Sequence, residues 1–291
     1  APYYRYTESK GEANLTLNVK PNRMLSFLAG DKLGAALIQE KNGIYKKNSN
    51  ILYKNNSEPF SSENVIAVIK GNERPDEYII ISAHLDHIGI HDGSVFNGAD
   101  DDGSGTVAIL EIAQAFQNAV KNGHGPKSSI VFLHLNAEEK GLLGSQYYTD
   151  YDPLFELDKT VANLNIDMIG RTDPKRKKRN RNYIYLIGSD KLSKELHEIS
   201  EMANENYCNL ESDYTYNDEK DPNRFYYRSD HYNFAKKNIP VIFYFNGTHD
   251  DYHKSTDTAD KIQYDLLESR ARLVFYTAWK LANTKKRIQL D

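Results

Sequence analysis

From about Ser62 onward, short runs of consecutive apolar residues alternate with stretches whose apolar positions recur every three to four residues. The runs at 64–70 (NVIAVIK), 78–85 (YIIISAHL), 129–135 (SIVFLHL), 161–166 (VANLNI), 183–187 (YIYLI) and 240–245 (PVIFYF) read as strands. Most have no polar alternation, as expected of strands covered on both faces. Helical periods fill the intervals at 106–122, 141–151, 191–207, 230–237 and 264–284. Strands alternating with helices predict an α/β fold, a mixed, mostly parallel central sheet flanked by helices on both faces.

Residues 1–61 read differently. Ala13, Leu15, Leu17 and Val19 alternate with polar residues, which predicts one half-buried strand. Residues 24–40 are weakly helical and interrupted by Gly30 and Gly34, and 41–61 are polar. The segment is too thin for a core of its own. It is expected to be an N-terminal edge of the main domain, or the remnant of an upstream module, with the principal domain at 62–291.

Composition narrows the function. Hydrophobic residues make up 39% and charged residues 27%, as in ordinary globular domains. No apolar stretch approaches the roughly 18 residues of a membrane span. Lys+Arg 37 against Asp+Glu 41 gives a net charge of −4, the wrong sign for gripping nucleic acid by its phosphates. The one cysteine, Cys208, excludes an internal disulfide framework and a thiolate zinc site. The basic run Lys175, Arg176, Lys177, Lys178, Arg179 and Arg181 reads as a solvated surface loop.

In an open α/β sheet, ligands bind beyond the carboxyl ends of the strands. The polar residues that follow each apolar run are therefore the candidates. His84, Asp86 and His87 follow the second run, and Asp100, Asp101 and Asp102 precede the next helix. Glu138 and Glu139 follow the third run, Asp167 the fourth, and His249, Asp250, Asp251 and His253 the last. Carboxylates crowded at one rim repel unless a cation joins them. Imidazole and carboxylate without thiolate suit Zn²⁺, Mn²⁺ or Co²⁺. His84 and Asp86 share one strand face, which places Asp86 to hold the far imidazole nitrogen. Glu138 and Glu139 diverge, so one can bind metal while the other faces a water. His249 and His253 sit in a loop, and one of the two is expected to reach the metal.

Two other motifs fail on context. Asp100, Asp102, Ser104, Gly105, Val107 and Glu111 follow calcium-loop spacing, but a strand rather than a helix precedes them. Gly103, Gly105 and Ala108 match a dinucleotide fingerprint, but Asn97-Gly98-Ala99-Asp100 separates them from the strand. No G-x-S-x-G elbow exists for a serine hydrolase. His134 reads as a buried structural residue and His197 as a solvated one.

The ordered segments SAHLDH (82–87), NGADDDGSG (97–105), NAEEKGLLGS (136–145), NIDMIGR (165–171), RSDH (228–231) and DYHKSTDTADKI (251–262) resemble metallopeptidase family 28, the co-catalytic di-zinc aminopeptidases. The resemblance covers about residues 62–286. It implies a three-layer zinc-exopeptidase fold, with 62–291 as the catalytic domain, and two Zn²⁺ per chain. It implies His84 and Asp167 as ligands of one zinc, Glu139 and His253 as ligands of the other, and Asp100 as the bridging carboxylate, with a cis peptide at Asp100–Asp101. It further implies Glu138 as general base for a metal-bridging water, Asp86 as the partner of His84, and Tyr226 as a contact of the tetrahedral intermediate. Asp230 is a candidate supporting residue. The implied activity is hydrolysis of the N-terminal peptide bond of peptides with a free N-terminus. Glutaminyl cyclase-like and carboxypeptidase-like members of the same framework are the alternatives, the latter with Arg171 and Arg228 as cations for a substrate carboxylate. A non-enzymatic binding module has no need of the spare glutamate. By the same resemblance the chain is expected to be the catalytic part of a longer exported protein, periplasmic or secreted.

Overall fold

The computed structural model describes residues 61–177 and 180–291. The strand expected near residues 13–19, and the reading of 1–61 as an edge or a remnant, lie outside the described residues but for Ser61. Ser62–Asp291 pack within one compact unit. Its centre is a seven-stranded sheet. In chain order the strands are β1 (Val65–Ile69), β2 (Arg74–His84), β5 (Ser128–Leu135), β6 (Thr160–Ile166), β7 (Tyr183–Ile187), β8 (Glu211–Asp213) and β9 (Val241–Phe245). A two-stranded hairpin, β3 (Gly89–His91) and β4 (Ser94–Phe96), stands apart. The helices are α1 (Ser104–Lys121), α2 (Leu143–Asp150), α3 (Lys194–Tyr207), α4 (His231–Ala235) and α5 (Tyr264–Asn283).

The sheet order is β1-β5-β2-β6-β9-β7-β8. The four central strands β5, β2, β6 and β9 run parallel, whereas β1 and β7 are antiparallel to their inner neighbours. The alternation of side chains along each strand sorts the core into layers. Ile79 and Ile81 of β2 face α1, α3 and α5, and join Ile109, Phe116, Leu273 and Val274. Ile80, between them, faces the opposite side with Val131 and Leu133, against Tyr148 of α2 and Phe234 of α4. Both faces are thus covered, which is why these strands carry unbroken apolar runs. Each fully buried isoleucine or phenylalanine contributes roughly 1.5–3 kcal/mol.

All six apolar runs are strands, and all five helical periods are helices, with ends displaced by up to four residues. The hairpin β3–β4 and the three-residue β8 were not expected. The basic loop departs from the solvated reading. The Arg176 side chain is nearly buried, paired with Glu211 at 2.8 Å and Asp213 at 3.2 Å, with its guanidinium 4.0 Å from the Tyr183 ring centre. Arg181 is the exposed partner of Asp265. His134 is buried in β5, and burial lowers its pKa. His197 is half-buried rather than solvated, with Nδ1 3.0 Å from Ser189 Oγ and its ring against Tyr214. Among the described residues, no helix is long and apolar enough to cross a membrane.

One buried cation ties the fold to the loop after β6. Arg270 of α5 is fully buried, and burial pushes its guanidinium down to about 10. Nε donates to Tyr183 O at 2.9 Å, and Nη1 donates to Ile169 O and Arg171 O at 2.7 and 2.6 Å. Arg270→Ala strands these three carbonyls in a cavity. We expect a loss on the order of 3–5 kcal/mol in a denaturant titration. A loss below about 1 kcal/mol would show that the carbonyls find other donors.

Candidate active site

Because β2, β5, β6 and β9 are parallel, their carboxyl ends open on the same rim. His84 is the last residue of β2. Glu138 and Glu139 follow β5, Asp167 follows β6, and the segment 246–253 follows β9. The aspartate run occupies the tight turn Ala99–Gly103 that leads into α1. Gly98 opens this turn at φ 60°, where an added Cβ would strike the Asp101 carbonyl and the His87 ring.

Asp101 is the centre of the arrangement. Its Oδ1 lies 3.3 Å from His84 Nε2 and its Oδ2 lies 3.1 Å from His253 Nε2. Asp167 Oδ1 is 3.7 Å from the same His84 nitrogen, and Glu139 Oε2 is 3.3 Å from the same His253 nitrogen. His84 Nδ1 sits 2.9 Å from the Asp86 backbone carbonyl. A proton on Nδ1 satisfies that contact and leaves the Nε2 lone pair facing the carboxylates. His87, to which the sequence assigned no role, places Nδ1 2.9 Å from Glu139 Oε1 and 3.8 Å from Asp101 Oδ2. Its position directly after Asp86, in a stretch with two further site residues, was the available signal.

The structure corrects three expectations. Asp101, not Asp100, stands between the two imidazoles, and the cis peptide is Asp101–Asp102. Adjacent side chains diverge, and Asp100 points the other way: Oδ1 accepts from Gly170 N at 2.6 Å and Oδ2 lies 3.1 Å from His249 Nε2. That contact also draws His249 out of the cluster, while His253 joins it. Second, the Asp86 carboxylate accepts the backbone N–H groups of Glu138 and Glu139, at 3.0 and 3.2 Å, and stays 3.8 Å from His84 Nδ1. It positions the glutamate loop more directly than the imidazole. Third, Tyr226 packs away from the cluster against Tyr227, His231 and Tyr232. The pocket beside the cluster is instead lined by Phe225, Arg228 and Tyr252.

Two groups of side chains can each offer ligand atoms within 4.8 Å of one another: His84, Asp102 and Asp167, and His87, Asp101 and Glu139. Asp102 spends both oxygens on the backbone, accepting from His84 N, Gly105 N and Met168 N. Asp257 accepts from the backbone N–H groups of Asp100 and Asp101, at 3.0 and 3.2 Å, and so fixes the turn. Among the described residues eight non-glycine residues have positive φ, and three of them border the cluster: Ala137, Met168 and His253. Each such conformation costs of order 1 kcal/mol or more and persists only where surrounding contacts hold it. Met168, for example, is held by its N–H on Asp102 and its carbonyl under Asn246 N.

Charge decides what the cluster can do. Burial alone would lower the His84 imidazole, but the Glu138 charge and the contacts with Asp101 and Asp167 hold it well above its ordinary value. Against the same cost of burial, contacts with His253 and His84 keep Asp101 below the usual carboxylate range. Burial pushes Glu138 well above that range, with the Asp167, Asp230 and Asp101 charges acting in the same direction. The Glu138 carboxylate makes no hydrogen bond or ion pair with any described residue. Asp230 is fully buried, accepts from Ser145 Oγ, and is pushed up to about 7, chiefly by burial. Asp101 Oδ2, Glu139 Oε1 and both His87 ring nitrogens are buried without a well-formed hydrogen bond. Carboxylates and imidazoles converging with unused lone pairs, and no thiolate, fit divalent metal.

Comparison with known proteins agrees with this chemistry. The family model described as Peptidase family M28 matches residues 64–278, about three quarters of the chain. Leucine aminopeptidase 1 of Sclerotinia sclerotiorum is 30% identical over 235 residues, covering 78% of this chain and 57% of that protein. The Arabidopsis thaliana protein named Probable glutamate carboxypeptidase LAMP1 is 39% identical over 105 residues, covering 36% of this chain and 14% of that protein. The solved structure of BSAP, a zinc aminopeptidase from Bacillus subtilis, matches with a TM-score of 0.59 at 25% identity, covering 78% of this chain and 52% of that one. The chain thus spans only part of the length of these relatives.

Proposed function

The chain belongs to peptidase family M28, and from that premise we propose that it is a zinc-dependent exopeptidase, an aminopeptidase that removes residues from peptides with a free N-terminus. The observation that carries this reading is the Asp101 carboxylate, whose two oxygens each face a different imidazole, with one further carboxylate beside each. Two Zn²⁺ fit that arrangement: His84, Asp101 and Asp167 would hold one, and Asp101, Glu139 and His253 the other. When bound, such ions supply Lewis acidity, polarising a carbonyl and acidifying water.

The chain's own residues supply the rest. Glu138 is the carboxylate in the pocket that has no committed partner, and it is the group free to take a proton from the attacking water and return it to the leaving amine. Asp86 fixes its position through the backbone N–H groups of Glu138 and Glu139. The carboxylates at this end of the pocket favour a substrate ammonium. Tyr252, stacked on His253 with ring centres 3.9 Å apart, takes over from Tyr226 as the tyrosine at the reacting carbonyl.

A panel of aminoacyl anilides, free and N-acetylated, tests the reading. Free substrates should be cut and acetylated ones spared. Chelation should abolish turnover, and two equivalents of zinc per chain should restore it. Turnover that survives chelation after elemental analysis shows the metal gone would refute a metal-dependent peptidase. Preferential release of a C-terminal residue from blocked peptides would assign a carboxypeptidase, and ammonia loss from glutaminyl peptides a cyclase.

A further inference from the structure

Asp101, Glu138 and Asp167 line the pocket beside the cluster. Met168, Phe225, Phe243, Phe245 and the Tyr252 ring line it too, and so does Arg228, which reaches the hydroxyl of the Tyr252 ring that stacks on His253. Arg228 and Arg171 both lie near the cluster, and the two differ. Arg171 is tied down, with Nη2 3.1 Å from Asp251 and Nη1 3.9 Å from Asp257. Arg228 has no carboxylate within 4.0 Å among the described residues. Its guanidinium lies 5.0 Å from the Phe225 ring centre, and Nη2 donates to Tyr252 Oη at 3.3 Å. An aromatic ring and one hydroxyl thus contact the guanidinium, and its other N–H donors make no hydrogen bond among the described residues.

We propose that Arg228 reads a carboxylate on the substrate, and that the carboxylate is the side chain of the N-terminal residue. The favoured substrate is then one whose first residue has an apolar stem and a terminal carboxylate, glutamate above its amide isostere glutamine. The proposal rests on the aminopeptidase reading. An N-terminal glutamate carries an ammonium for the acidic residues, methylenes for the aromatic ones and a carboxylate for the guanidinium. Arg228 is itself exposed, so water screens that last pair, and the preference rests on the guanidinium's charge and donors rather than on desolvation.

The experiment uses the zinc-loaded protein and compares glutamyl and glutaminyl anilides, which differ in charge and hardly in shape. The wild-type ratio of kcat/KM, glutamyl over glutaminyl, should be about three- to fivefold, as for an ion pair exposed to water. In Arg228→Gln the ratio should fall to about unity, and in Arg228→Glu it should invert. Binding of free glutamate against free glutamine, followed by calorimetry, should show the same ordering and the same collapse. A wild-type ratio at or below unity, or one that survives Arg228→Gln, overturns the proposal. So does a result in which Arg228→Gln weakens an N-acetylated peptide with a free C-terminus and leaves the glutamate preference intact, because the carboxylate read would then be the terminal one. If no anilide is cut by zinc-loaded protein, the aminopeptidase reading fails, and the calorimetric comparison still decides whether Arg228 selects glutamate.

Discussion

Glu138→Gln should leave a folded protein that keeps its full complement of zinc and turns over about 10²- to 10⁴-fold more slowly, with the loss in kcat. The amide preserves shape and removes a pocket carboxylate that makes no hydrogen bond or ion pair among the described residues. A stability measurement separates this effect from damage to the fold. In the metal-stripped protein the Glu138 carboxyl is pushed well above its ordinary value, first by burial and then by the Asp167, Asp230 and Asp101 charges. A carboxyl whose folded value exceeds its unfolded one binds its proton more tightly in the folded state. Its contribution to stability therefore falls as pH rises past the ordinary carboxylate range. Replacing it by an amide removes that penalty. The stripped variant should thus be at least as stable as the wild type near neutral pH, with the advantage fading below about pH 4, where both states of the wild type are protonated. Unchanged turnover would dismiss Glu138 as the base. Lost turnover together with lost zinc would assign it to metal binding instead.

The strands were legible because burial on both faces writes itself into sequence as unbroken apolar runs. That signal needs length. The three residues of β8 and of each hairpin strand are too short to carry it, and Ile90 and Val95 in the hairpin are exposed, so no buried face sets a pattern. The convergence of five connections was legible for a related reason: parallel strands must deliver their following residues to the same rim, whatever the detailed geometry. Arg176 was misread because composition cannot see a tertiary partner. Six basic residues in a loop look solvated until Glu211 and Asp213, from a strand more than thirty residues on, arrive beside one of them.

Within the site, legibility stopped at register. A lone histidine at a strand end, such as His84, can be placed from spacing alone. Three consecutive aspartates cannot be ranked that way, because the peptide geometry that turns one of them inward leaves no trace in composition. The same holds for Tyr226, Tyr227 and Tyr252. A backbone at φ 54° at Arg224 starts the short turn Phe225–Tyr227 that presents Phe225 and Arg228 to the pocket and sends Tyr226 elsewhere. Tyr252 was the better candidate on position, since it adjoins His253, a residue already chosen.

The aspartate register yields the sharpest structural test, because neighbouring substitutions predict opposite outcomes. Asp101→Ala removes the carboxylate whose two oxygens face His84 and His253, and both halves of the cluster lose a ligand at once. Zinc content after desalting should fall from two per chain to well below one. Imidazole and carboxylate ligands compensate poorly for a missing shared neighbour. Asp100→Ala removes instead a clamp: the acceptor for Gly170 N, opposite His249. Its cost should appear as lower thermal stability, with a buried backbone donor left unpaired at about 1–3 kcal/mol, and with zinc near two per chain when the protein is assayed folded. Elemental analysis of the two variants side by side settles the assignment. Full zinc in Asp101→Ala, or loss of zinc from Asp100→Ala alone, would return the bridging role to Asp100 and require the turn to be redrawn one residue earlier.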